Sequence, residues 1–478
     1  MFWLSLLVLC LINGWSVTAS GWLWLPPKPV GDGPEYENIG FHLARGQGFW
    51  IDTLDPVWQS AYESPQTGAS HSEPDVTHSH RRSTPRDMPT TARPPLLPLA
   101  IAGVYTTLGR GPTGFATIRL LLAACTALAC SLAVFMTVRI LNPIESTWVG
   151  WAGGCVALLF AASNRTLRDY STDFLTEPLA LLFLQCFVLC VWMNHRSTVQ
   201  ESSTTAWRRN AGLVGAGVFW GLLILTRSMF VVWLPAIALL LFASDRATPY
   251  GPQGRPQVGR SWSLRRWRKA MAVVGIACLL CAPWWTRNCL VLGQFMPLGT
   301  QGPVTLIGGY SDAALKGNGD WQFAPELELR AELADVAEFK VLATDLEREV
   351  WLSREAGHRV RTWFWEHLPN LPRMFLQRIY VHWNPYTGRS LIWKFAILLG
   401  ACGLIYYRQR NPTWWLATVW LLGLPLISTL VVAGFYSTGG RFLVPVYGVL
   451  FTLAGLSCVW LEPCARMLRK TSFDGIRV

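Results

Sequence analysis

The sequence predicts an all-α polytopic membrane protein with about ten transmembrane helices and two large outer loops. Three observations lead there. Of the 478 residues, 51% are hydrophobic and only 15% charged, where a water-soluble chain carries roughly a quarter charged residues. The apolar residues come in runs long enough to cross hydrocarbon about 30 Å thick, which takes roughly 20 residues of helix. The basic residues collect in alternate loops, the pattern that fixes the orientation of a multi-pass chain.

In chain order the runs are 2–25, 113–138, 147–163, 174–193, 211–226, 228–243, 270–287, 391–407, 413–433 and 442–461. The first has no basic side chain before Lys28 and reads as a retained anchor helix, because a signal peptide opens on a basic region. A further apolar piece, 96–109, is too short to span and reads as an interfacial or re-entrant helix. With the N-terminus inside, the loops near 139–146, 194–210, 244–269 and 408–412 and the C-terminal tail face the cytoplasm. Their seventeen basic and five acidic residues account for the whole formal net charge of +12. No basic surface remains to argue for a nucleic-acid partner.

The same topology puts two loops outside: residues 26–112, with a Ser/Thr/Pro/His-rich flexible insert at 60–92, and residues 288–390. The second opens on a Gly/Pro-rich segment. From Pro325 to Glu366 it shows helix-like apolar spacing through Leu329, Leu333, Val336, Leu342, Leu346, Val350 and Trp351, which predicts a helical cap on the membrane surface. His71, His78 and His80 with Glu73 and Asp75 lie in the insert, where nothing nearby would rigidify them as metal ligands. Ten of the twelve cysteines, including the Cys278/Cys281 pair, sit inside apolar runs and read as packing residues. Asn164-Arg165-Thr166 is a formal glycosylation sequon too close to a span end to be used.

Ionisable groups near a membrane are costly and point to function. Here they gather at the outer span ends: Asp32 after the first run, Arg93 before the short apolar helix, Arg168, Asp169, Asp173 and Glu177 around the turn before the fourth run, then Arg227, Arg287 and Arg441. The arginines oppose the positive-inside trend, and an anionic ligand at the outer leaflet would offset them, arginine being suited to phosphate by its planar pair of donors. Displacing phosphate from a sugar also needs a base. Asp32, in Gly31-Asp32-Gly33-Pro34-Glu35-Tyr36, is the base candidate; the alternative is that it caps a helix or an Asx turn.

These residues resemble the polytopic GT-C glycosyltransferases, in particular the branch holding dolichyl-phosphate-mannose–protein mannosyltransferases and 4-amino-4-deoxy-L-arabinose transferases. The matching elements run in order: Asp32, Tyr36 and Ile39 with Gly46-x-Gly48-Phe49; Arg93-Pro94-Pro95-Leu96; Tyr170 with Leu175-Thr176-Glu177-Pro178-Leu179; Leu225-Thr226-Arg227; Pro283-Trp284-x-x-Arg287-Asn288; Glu366-His367-Leu368-Pro369 leading to Trp383-Asn384-Pro385; and Arg441-Phe442-x-x-Pro445. The resemblance implies one glycosyltransferase domain over residues 1–478, a polyprenyl-phosphate sugar donor taken from the outer leaflet, and inverting transfer. It implies Asp32 as catalytic base, with Tyr36, Arg93, Tyr170, Glu177, Arg287 and Arg441 binding substrate, in a bacterial inner membrane with the site facing outward. The sequence departs from the family where Gly33 replaces a second acid. No cofactor is assigned and a divalent cation stays open, as do the sugar and whether the acceptor is protein, lipid or polysaccharide. A lipid or solute transporter is the competing reading, but no internal repeat of the transporter kind is evident.

Overall fold

The computed structural model describes residues 1–28, 31–59, 87–142, 147–199, 205–244, 260–384, 391–408 and 412–463. Within them the protein is an all-α polytopic membrane protein. Six helices are long and apolar enough to cross a bilayer: Phe2–Ala19, Pro112–Leu141, Glu177–Asn194, Arg266–Leu292, Trp414–Gly434 and Arg441–Leu461. The other four predicted runs form shorter apolar helices, Thr147–Ser163, Asn210–Thr226, Leu234–Ser244 and Leu391–Tyr407, as does Leu96–Leu108. The closely spaced pair divides at Arg227, whose backbone is extended (φ −147°, ψ 110°), and the 3-10 turn Ser228–Val231 takes up the start of the second run. Most of the loops assigned to the inside lie outside the described residues, as do His71, His78, His80, Glu73 and Asp75.

The last span is the hub and the most deeply buried of the six. It packs against Pro112–Leu141, Thr147–Ser163 and Leu391–Tyr407. Small residues let these backbones meet, as is usual where lipid gives no hydrophobic drive. A Cβ on Gly455 would stand 2.5 Å from the carbonyl of Gly153, and one on Gly400 would collide with the Leu453 carbonyl. The same core is aromatic where Phe187 stands edge-on to both Trp220 and Trp420, at centroid distances of 4.9 and 5.2 Å. By contrast Trp3, Leu7, Leu11 and Trp15 of the first helix are exposed, a face suited to lipid. Every cysteine among the described residues is free.

The segment between the first two long spans builds a platform. Helix Gly33–Ala44 lies on Leu96–Leu108, with Gly40 so close that a Cβ would strike Ile101. A two-stranded antiparallel hairpin pairs Trp50–Asp52 with Asp87–Pro89, Ile51 opposite Met88. Residues 87–89, at the far end of the stretch expected to be a flexible insert, are strand, and 60–86 lie outside the described residues. Asn38 clasps the hairpin by bonding both the N–H and the carbonyl of Asp52 at 2.9 Å. Beneath it Glu37, fully buried, receives the Tyr105 hydroxyl at 2.8 Å and two donors of Arg110 at 2.7 Å, while Arg110 Nη1 reaches Asp55 at 2.8 Å.

The second large loop is helical over the predicted stretch but in pieces: Ala324–Asp335, Ala337–Lys340 and Asp345–Glu366. Val336 is extended, and Thr344 restarts the helix with a capping box to Glu347, a device that satisfies two orphan donors at once. Val304, Ile307, Leu329, Leu333, Leu352 and Ala356 give this region its own apolar cluster. Arg378, in helix Leu371–Trp383, is wholly buried and ties it to Gly309, Gly319 and Ala433 through their carbonyls.

Candidate active site

Asp32 stands at the start of helix Gly33–Ala44, yet its side chain makes no capping bond. The carboxylate is turned instead to two arginines. Arg93 Nη2 lies 2.9 Å from Oδ1 and Arg441 Nη2 lies 2.9 Å from Oδ2, the second contact lacking hydrogen-bond alignment. Gly31, at φ +83°, makes the turn that aims it, a conformation that favours glycine. Gly33 is the close approach that follows: a Cβ there would sit 3.2 Å from Pro27 and 3.5 Å from the Asp173 carboxylate. A second acid at position 33 would crowd that contact. The nearby acid is Glu35, which accepts from Arg93 Nε at 2.6 Å.

The pairing continues on the other side. Glu177, the first residue of its helix and fully buried, accepts from Arg227 Nη1 at 2.6 Å and from Arg441 Nε. Glu35, Arg93, Asp32, Arg441, Glu177 and Arg227 thus form one alternating chain of carboxylates and guanidiniums drawn from five separate segments. Each arginine has an aromatic neighbour: Tyr36 at 5.7 Å from Arg93, Tyr170 at 5.9 Å from Arg441 and Phe442 at 5.1 Å from Arg227, the geometry of cation–π contact.

Exposure separates the acids. Asp32 keeps 24% of its side chain open, whereas Glu177 has none. Burial pushes the Asp32 carboxyl up, but Arg93, Arg441 and Arg227 outweigh it and hold the group well below the usual carboxylate range. Asp32 and Glu35 in turn hold Arg93 firmly charged against its burial. Burial, reinforced by Asp32, pushes the Tyr36 phenol to about 12. Tyr170 and Tyr436 are also raised by burial.

The remaining sequence candidates are elsewhere. Arg287 does not join the chain; it donates to the carbonyls of Thr90 at 2.6 Å and Phe49 at 3.2 Å, holding the hairpin flanks. Arg168 binds the Ala162 carbonyl at 2.5 Å, and Asp169 pairs with exposed Arg165 at 3.8 Å. Asp173 accepts the N–H groups of Lys28 and Phe174. Asn164 caps helix Arg165–Ser171. Sequence reasoning missed Tyr436, whose phenol lies in the field of the same arginines. It also missed Arg119, fully buried, which donates to the carbonyls of Leu23, Leu25, Pro26 and Thr172 and so fixes the segment that delivers Asp32. Its isolation inside an apolar run was the available signal. Among the described residues no three Asp, Glu, His or Cys side chains gather as a metal site; the three carboxylates of the chain are interleaved with guanidiniums.

No protein-family model and no curated protein matches the chain. Solved structures do. The archaeal oligosaccharyltransferase AglB from Archaeoglobus fulgidus, in complex with an inhibitory peptide and a dolichol-phosphate, superposes with a TM-score of 0.50 at 13% identity, over 100% of this chain and 52% of that one. The oligosaccharyltransferase of the same organism tethered to an acceptor peptide gives 0.50 at 12%, over 98% and 50%. ArnT from Cupriavidus metallidurans bound to undecaprenyl phosphate gives 0.40 at 13%, over 95% and 77%. The chain spans about half the length of the two oligosaccharyltransferase chains it matches. At these identities the likeness shows the fold alone: the chain shares the GT-C fold with these two oligosaccharyltransferase structures.

Proposed function

We propose that the protein moves a sugar from a polyprenyl-phosphate donor to an acceptor hydroxyl at the outer face of a bacterial cytoplasmic membrane, with inversion at the anomeric carbon. The observation that carries this reading is the alternating chain centred on Asp32. Three guanidiniums come from the ends of separate helices, and a partly open carboxylate stands between two of them. Arg93, Arg227 and Arg441 would receive the donor phosphate, Tyr36 and Tyr170 flanking it. Arg287 would act one step back, through the hairpin it holds. As the acceptor oxygen attacks, its proton passes to Asp32, the anomeric carbon–phosphate oxygen bond breaks, and the polyprenyl phosphate leaves against the arginines. The solved structure in complex with a dolichol-phosphate suggests the lipid class to try first.

The test is a proteoliposome assay. The full chain is supplied with a panel of radiolabelled polyprenyl-phosphate pentoses and hexoses, and release of the polyprenyl phosphate is followed. Consumption of one donor, with an inverted product linkage, supports the reading. No consumption from any donor, or retention of configuration, overturns it.

A further inference from the structure

Arg441 is held from behind. The chain enters it through Gly439 (φ +52°) and Gly440 (φ +79°), two consecutive left-handed residues that form a reversal only glycine adopts cheaply. Such a pair is by itself a loose hinge. The outer cap closes it. Asp320 accepts the Gly439 N–H with both carboxylate oxygens, at 3.0 and 3.1 Å. The neighbouring Trp321 N–H donates to the Ser437 carbonyl at 2.8 Å, in a short parallel bridge between 320 and 437. The rest of the segment is pinned to the same cap: Tyr310 bonds the Gly434 carbonyl, and Arg378 bonds that of Ala433 at 3.0 Å. Two residues past the Asp320 clamp, Arg441 reaches back to Asp32 and Glu177.

We propose that Asp320 is a positioning residue for Arg441, so that docking of the cap on the Tyr436–Gly440 loop sets the phosphate site. This rests on the function proposed above. The cap that would meet the acceptor and the loop that carries the phosphate-binding arginine are joined through one carboxylate. A charge-assisted bond to a backbone N–H is among the stronger hydrogen bonds, and its loss frees the glycine hinge.

The experiment measures binding of undecaprenyl phosphate to the purified full chain, scored against undecaprenol, in a double-mutant cycle. Asp320→Ala is expected to weaken binding about tenfold, the scale of one such bond. Asp320→Asn, which keeps one acceptor, recovers part of it. With Arg441→Gln as background, Asp320→Ala changes binding less than about twofold, because a residue acting through Arg441 has nothing left to position. Wild-type affinity in Asp320→Ala, or an equal loss in both backgrounds, overturns the assignment alone. A wild-type protein that binds undecaprenyl phosphate no better than undecaprenol overturns the proposed function together with it.

Discussion

Replacing Asp32 with Asn should move binding and chemistry in opposite directions. In the free protein the carboxylate competes with the incoming phosphate for Arg93 and Arg441, each 2.9 Å away. Two unit charges at that separation attract by about 6 kcal/mol at an effective dielectric of 20. Most of that is offset by desolvation and by the water that reaches the 24% of Asp32 left open, so a net release of about 1–2 kcal/mol is the scale for two partly open ion pairs. Asn keeps the shape and one acceptor oxygen but no charge. Polyprenyl-phosphate binding should therefore tighten by about 5–30-fold. Turnover should fall by about 10²–10⁴-fold, the usual contribution of a positioned base. The assay pairs equilibrium binding of undecaprenyl phosphate with single-turnover release from the donor accepted by the wild type. A variant that binds the phosphate less well, or that still turns over at the wild-type rate, would show that Asp32 neither competes for the arginines nor takes the proton.

Two further outcomes test the platform and the cap. Glu37→Gln leaves the buried guanidinium of Arg110 with only Asp55 as a charged partner among the described residues, and breaking a buried pair costs about 3–5 kcal/mol; the thermal midpoint in detergent should drop, and an unchanged midpoint would mean the pair is open to water. His382 is fully buried beside Ser428, and burial holds its ring down at about 4 against an ordinary 6.5. Between those values the unfolded chain binds a proton that the folded protein refuses. Stability is thus complete above pH 6.5, falls as the pH drops toward 4, and levels off below it, a total of about 3 kcal/mol at 1.36 kcal/mol per unit. Midpoints measured at pH 7.5 and 5.0 should differ less in His382→Asn; an equal difference would place the pH response elsewhere.

How much of this could be read from the sequence differs by kind of feature. The helix order was legible because apolar runs are local, and so was the turn at Arg227, where a charge interrupts one. Asp32, Tyr36, Arg93, Tyr170, Glu177 and Arg441 could be named individually, and the structure brings them together. Their pairings could not: Arg441 and Glu177 are 264 residues apart, and spacing at that range says nothing about which cation meets which acid. Arg119 was hidden for the opposite reason, since hydropathy averaged over 113–138 absorbs a single charge whose partners are backbone carbonyls. Arg287 misled because a basic side chain at a span end looks the same whether it awaits a ligand or holds a hairpin. The cap helix was read as continuous because its apolar spacing passes through Val336 and Thr344 with little interruption.

Arg119 has a bearing on how the protein comes into being. The carbonyls of Leu23, Leu25 and Pro26 are synthesised more than ninety residues before the guanidinium that receives them, and Thr172 follows 53 residues later still. Until the second long span has entered the bilayer, the connector bearing Asp32 lacks the guanidinium that ties its carbonyls. Its final geometry therefore waits on the arrival of that span. Truncated chains ending between the first and second spans would carry the motif in their sequence without its shape.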